Sequence, residues 1–82
     1  MTERKVPSVG RIVHYYAYGT PGGEVPAGVA RAAIVTEVDE PDSIVSPVGL
    51  AVLNPTGLFF NRHIPFGPTL PGHWGWPPRV GE

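Results

Sequence analysis

Apolar residues along this chain come in short bursts, and a glycine, a proline or a polar turn residue ends each of them. Cutting at these breaks leaves windows at 11–18, 29–40, 42–46, 50–54 and 58–64. Only 29–40 has the length of an ordinary helix of about 10–12 residues. Its centre, Ala33-Ile34-Val35-Thr36-Glu37-Val38, is rich in β-branched side chains, which are stiff in a helix and pack well on a pleated surface, so it predicts a strand. The window from Arg11 to Tyr18 is β-branched and aromatic between Gly10 and Gly19 and predicts another. Residues 48–53 and 58–64 flank Asn54-Pro55-Thr56-Gly57, whose proline second and glycine fourth suit a type I turn and give the clearest hairpin signal. Glu40-Pro41-Asp42-Ser43 predicts the preceding turn, so strands 29–38, 44–53 and 58–64 form a meander. Pro47 has no N–H for a ladder and belongs at a strand start or an edge.

The Gly19–Gly28 connection reads as a long hairpin loop. The tail, 65–82, carries five prolines and runs extended into a short strand or 3₁₀ turn around His73-Trp74-Gly75-Trp76. Four to five short strands, with the longest loop first, predict an all-β fold: a small SH3-like barrel, with an OB-like barrel as the alternative, and a Pro-rich C-terminal tail. A single domain over 1–82, with residues 1–8 as a flexible N-terminus and no internal repeat, completes the expectation.

Composition changes this picture in two places. Glycine and proline, 11 each, make up about a quarter of the chain, a level that without a repeat often means disorder. A hydrophobic content of 41%, only 16% charged residues and a net charge of −1 argue instead for a folded chain. A domain of 82 residues nevertheless has a thin core, and with no cysteine it has no disulfide and no thiolate metal site. Aromatic packing and self-association are left to stabilise it, so a homo-oligomer is expected. No secretory or membrane-length apolar run is present, which predicts a soluble cytoplasmic protein without membrane contact. Four of the seven acids, Glu37, Asp39, Glu40 and Asp42, cluster, while six cations are scattered. That is too few for long nucleic acid and enough for one small anion.

Strand alternation puts Val13, Tyr15 and Ala17 on the core side and His14, Tyr16 and Tyr18 on the other; the opposite register would bury Ile12 and Tyr16. An exposed Tyr16–Tyr18 face offers a base-stacking platform, worth about 1–3 kcal/mol per base, and the same rings equally suit a thin core or an oligomer interface. In 58–64, Phe59, Asn61 and His63 share one face and Leu58, Phe60, Arg62 and Ile64 the other. Asn61, Arg62 and His63 supply donors for a phosphate or base edge, or form a solvated strand end. Of Trp74 and Trp76, one fills the core and the other is open to a ligand. Gly22 and Gly23 offer backbone amides to an anion, without the lysine of a P-loop, or simply a flexible turn. Arg31 can pair with Glu37, with the acidic turn or with a ligand phosphate. Catalytic sets are missing: no serine lies in a nucleophile elbow, and His14, His63 and His73 lack metal-ligand spacing, so neither an enzyme nor a metal or other cofactor is expected.

The segments Gly10-Arg11-Ile12-Val13-His14-Tyr15, Gly19-Thr20-Pro21-Gly22-Gly23-Glu24, Arg31 to Val38, Asn54 to Asn61 and Trp74-Gly75-Trp76-Pro77 resemble a family of small phage and prophage proteins, over about residues 8–80. Compact phage β-barrels of this size include sponges that sequester cyclic nucleotide signals of bacterial immunity, so the resemblance implies a counter-defence binding protein. It brings no catalytic residues, and the chain lacks the motifs of known sponge families. The leading expectation is a non-enzymatic homo-oligomeric module that captures a cyclic nucleotide, with Tyr16, Tyr18, Trp74 or Trp76 stacking the base, Arg11, Arg31, Arg62, Gly22 and Gly23 holding phosphate, and His14, Asn61 and His63 nearby. The alternative is a protein-interaction or structural module using the aromatic faces and the Pro-rich tail.

Overall fold

A computed structural model of the chain describes residues 6–19, 27–55 and 57–78. They form one antiparallel sheet of β1 (Ile12–Tyr16), β2 (Ala30–Val38), β3 (Val48–Asn54), β4 (Gly57–Ile64) and β5 (Trp74–Gly75), hydrogen-bonded in the order β4-β3-β2-β1-β5. The β-branched windows become the strands, and the breaks between them become the turns. Asn54 pairs with Gly57 across the predicted hairpin, and the Ser43 amide donates to the Glu40 carbonyl at 2.9 Å across the acidic turn.

Two expectations are corrected. The strand predicted from residue 44 starts only at Val48, because Ser46 draws the preceding chain into a folded connection. Its hydroxyl accepts from the Glu40 amide at 2.8 Å and donates to the Pro47 carbonyl at 2.7 Å, and that carbonyl also accepts from the Asp39 amide at 3.0 Å. The sheet is also not a closed barrel, since β4 and β5 remain its edges. The segment after β4 meets β5 through one isolated parallel bridge, Phe66 with Trp74, where the Trp74 amide donates to Pro65 and the Gly67 amide to Trp74, both at 2.9 Å.

One face of the sheet carries the core. Val13 lies opposite Ala33 and Ala33 opposite Val52; Val35 lies opposite Leu50, and Val48 opposite Ile64. All are buried, and the fully buried Trp74 completes the cluster. Its indole N–H donates to the Ser46 carbonyl at 3.0 Å, while Phe66 and Trp76 meet the ring edge-on at 4.8 and 5.4 Å between centroids.

Both neighbours of β3 are bulged at the same level. On β2, Thr36 is an extra residue between the pairs Val35–Leu50 and Glu37–Gly49. On β4, Arg62 and His63 together span the gap between the pairs Leu50–Asn61 and Val48–Ile64, with His63 at a φ of 57°. The second bulge reverses the alternation, as an inserted residue must. Ile64 therefore joins Phe59 and Asn61 on the core side and leaves the face predicted for it with Leu58, Phe60 and Arg62.

Trp74→Ala should cost about 3–5 kcal/mol, a large part of the stability of a small domain. Trp74→Phe, which leaves the Ser46 carbonyl without its donor, should cost less, about 1–3 kcal/mol. Urea unfolding followed by far-ultraviolet circular dichroism ranks the two.

Candidate functional site

The face turned away from Trp74 is built by the other half of each strand. Ile12, Ile34, Ala51 and Phe60 stand opposite one another across four strands, and the parallel row is His14, Ala32, Leu53 and Leu58. No residue in either row carries a formal charge apart from the titratable imidazole of His14. Ile12 is 61% exposed, Leu58 58% and Phe60 70%, with Ile34 and Leu53 more than a third exposed. Together these five expose on the order of 500 Å² of apolar surface, within the range of the largest patch on a typical monomer.

The β1–β5 end of this face is covered. Tyr16 lies across Gly75, whose missing Cβ would sit 3.1 Å from both its Cε2 and its hydroxyl, and 3.1 Å from Pro68 Cα. Tyr16 is 6% exposed and meets His14 edge-on at 6.2 Å.

Charge closes the face at the level of the two bulges. Arg62 Nε donates to Glu37 Oε1 at 2.7 Å and Nη2 to Oε2 at 2.8 Å, a two-pronged pair between β2 and β4 that reaches over β3. The strand between them presents Gly49, and a Cβ there would lie 2.9 Å from Thr36 Oγ1 and 3.1 Å from Glu37 Oε1. The glycine is thus what lets the two side chains meet. The hydrogen bond from Arg62 holds the Glu37 carboxyl below its usual range, and the same bond raises Arg62. Beside them His63 Nδ1 lies 2.8 Å from Asp39 Oδ2.

The residues expected to bind a nucleotide are dispersed over the structure. Trp74 is sealed in the core and Tyr16 is roofed, so neither offers a free ring face, and both are corrected as stacking platforms. Tyr18 is 73% exposed on one side, with the other against Gly72, where a Cβ would lie 2.6 Å from its hydroxyl. Trp76, expected to be the open tryptophan, instead packs edge-on against Trp74 and the core, because residues two apart along an extended segment share a side; it is half-buried, with the Arg11 guanidinium 5.4 Å from its ring centre. Arg62 is held by Glu37, the acid proposed for Arg31, and Asn61 sits partly buried opposite Leu50. Arg31 stands opposite Tyr15, and Arg11 bonds through its backbone to Val35, so four residues of β1, about 13 Å, separate the two arginines. Burial, and less so Tyr18, raises the pKa of Tyr15 and keeps its phenol neutral. His73 Nδ1 faces the Pro71 carbonyl at 3.0 Å. Gly22 and Gly23 lie outside the described residues. Among the described residues no three histidine or acidic side chains group to hold a metal, and no helix is long and apolar enough to cross a membrane.

Two residues that organise the site are not among the candidates read from the sequence. Ser46 and Gly49 carry no motif; the only signal at Gly49 is a glycine inside an apolar strand, a mark of a bulge or of close approach. Comparison with family models, with curated proteins and with solved structures returned no match for the chain.

Gly49→Ala should destabilise the fold by about 1–3 kcal/mol through overpacking against Thr36 and Glu37, read from the urea midpoint. The lowered pKa of Glu37 gives stability that is present above the ordinary carboxylate range and lost as pH falls through the lowered value. The gap in urea midpoint between the wild type and Glu37→Gln should therefore be present at neutral pH and close in acid.

Proposed function

We propose that the chain is a non-enzymatic protein-interaction module that docks an apolar element of a partner protein on the outer sheet face, through Ile12, Ile34, Ala51, Leu53, Leu58 and Phe60. The observation that carries this reading is a pair of adjacent rows, one apolar across four strands and the other across three before it ends on His14, in a domain that already has a separate core. The largest contiguous apolar patch on a monomer is often a functional surface. The five strands about Trp74, with the Phe66–Trp74 bridge, support reading the sheet as a rolled relative of a small SH3-like barrel. The resemblance to phage proteins fits a module that acts on a protein of the host or of the phage.

A second reading, sequestration of a small anionic, base-containing ligand, is favoured by one observation. Arg31 Nε is buried with no hydrogen-bond acceptor among the described residues, an arrangement that suits the cation of an anion site. Calorimetric titration with cyclic di- and trinucleotides tests it, and absence of heat with all of them removes it.

For the leading reading, tagged protein should capture a stoichiometric protein partner from a bacterial lysate. Ile34→Asp and Phe60→Asp should each lower that capture at least about tenfold while the far-ultraviolet spectrum is retained. Capture that both variants leave intact would place the docking elsewhere.

A further inference from the structure

The two edges of the sheet differ. β5 is two residues long and runs into Pro77 and Pro78, which cannot donate to a neighbouring strand. β4 is eight residues long, and from Gly57 to Asn61 it carries no charge and no proline, the usual devices that keep an edge from pairing. Leu58, Phe59 and Phe60 are all exposed, so both sides of this edge are apolar. Phe59 is the telling residue: it lies opposite the buried Val52 on the core side, yet it is 46% exposed.

We propose that β4 pairs with β4 of a second copy of this chain, antiparallel about a two-fold axis at Phe59, to make one ten-stranded sheet. An antiparallel two-fold pair keeps each face of the sheet on its own side, so Phe59 meets Phe59 while Phe60 of each copy meets Leu58 of the other. Aromatic and aliphatic cross-strand pairs of this kind stabilise an antiparallel ladder. Charge permits the arrangement. Arg62 falls beyond the other copy's Gly57, well away from the other Arg62, and Glu37 already neutralises it. The bulge at Arg62–His63 turns the strand away and limits pairing to about five residues, an ordinary strand length. The buried area is then on the order of 500 Å² per copy, short of the roughly 800 Å² of a standard interface, so the dimer dissociates on dilution. The inference depends on the β4 edge, which shares Leu58 and Phe60 with the outer face, and pairing leaves Ile12, Ile34 and Ala51 open to docking.

Sedimentation equilibrium from low to several hundred micromolar should show the mass rising from the 8.8 kDa of one chain towards twice that value and no further. Phe59→Lys sets two like charges opposite each other at the axis and should move the midpoint to at least about tenfold higher concentration. Its half-exposed position should leave the urea midpoint close to that of the wild type. Phe59→Cys, in a chain with no other cysteine, should give a disulfide-linked dimer on mild oxidation. A monomeric mass at the highest concentration overturns the proposal, as does association indifferent to Phe59→Lys or a Phe59→Cys protein that fails to cross-link. Loss of partner capture in Ile34→Asp with dimerisation intact would separate the two surfaces.

Discussion

A chain this short, without cysteine, has to hold its sheet together with very few side chains, and the burial of one indole does most of that. Trp74 belongs to the shortest strand, yet its backbone bonds to the segment after β4, its neighbour in the ladder is Tyr15 of β1, and its ring nitrogen reaches the connection between β2 and β3. Three other parts of the chain meet at that one residue. The core it completes is otherwise four valines, an alanine, a leucine, an isoleucine and Tyr15, so the indole is its largest side chain. Removing the indole would therefore uncouple the tail from the meander as well as empty a cavity.

The opposite face follows from the same economy. Trp74 is committed to one side, and on the other the contacts at Gly75 place Tyr16 and Pro68 over the β1–β5 end alone. The strands there keep apolar residues where a soluble sheet usually turns polar. The two bulges mark where this face ends. They meet at Gly49, and by bringing Glu37 and Arg62 together over it they put a neutralised pair at the boundary, with no unpaired charge there. Backbone irregularity thus delimits the exposed apolar face.

Much of the fold was legible because glycine and proline separate β-branched windows, and steric preference alone makes those windows strands. The alternation of β1 was also readable: Val13 and Tyr15 do face the core. What alternation could not convey was burial from outside the sheet. Tyr16 is on the expected side and still buried, because a glycine in the tail leaves room for its ring, a long-range coincidence that no local pattern reports. The bulges were hidden for a related reason, since register depends on the partner strand; Ile64 changed face on account of residues opposite β3. The nucleotide site was inferred from residue types that favour such ligands, but proximity in space decides a site, and Arg11, Arg31 and Arg62 came to rest in three separate places. The apolar character of Leu58 and Phe60 was visible from the start, and only the topology showed that they point away from the core.

The position of Trp74 in the chain also bears on when the protein can fold. The contacts that complete its core join residues 13, 46 and 66 to residue 74. During synthesis the meander must wait, its inner face unfilled, until nearly all the described residues have left the ribosome. Folding that needs such distant contacts is slow relative to local pairing. A nascent chain here would expose both apolar faces at once, which makes the interval before residue 74 emerges the time of greatest risk of aggregation.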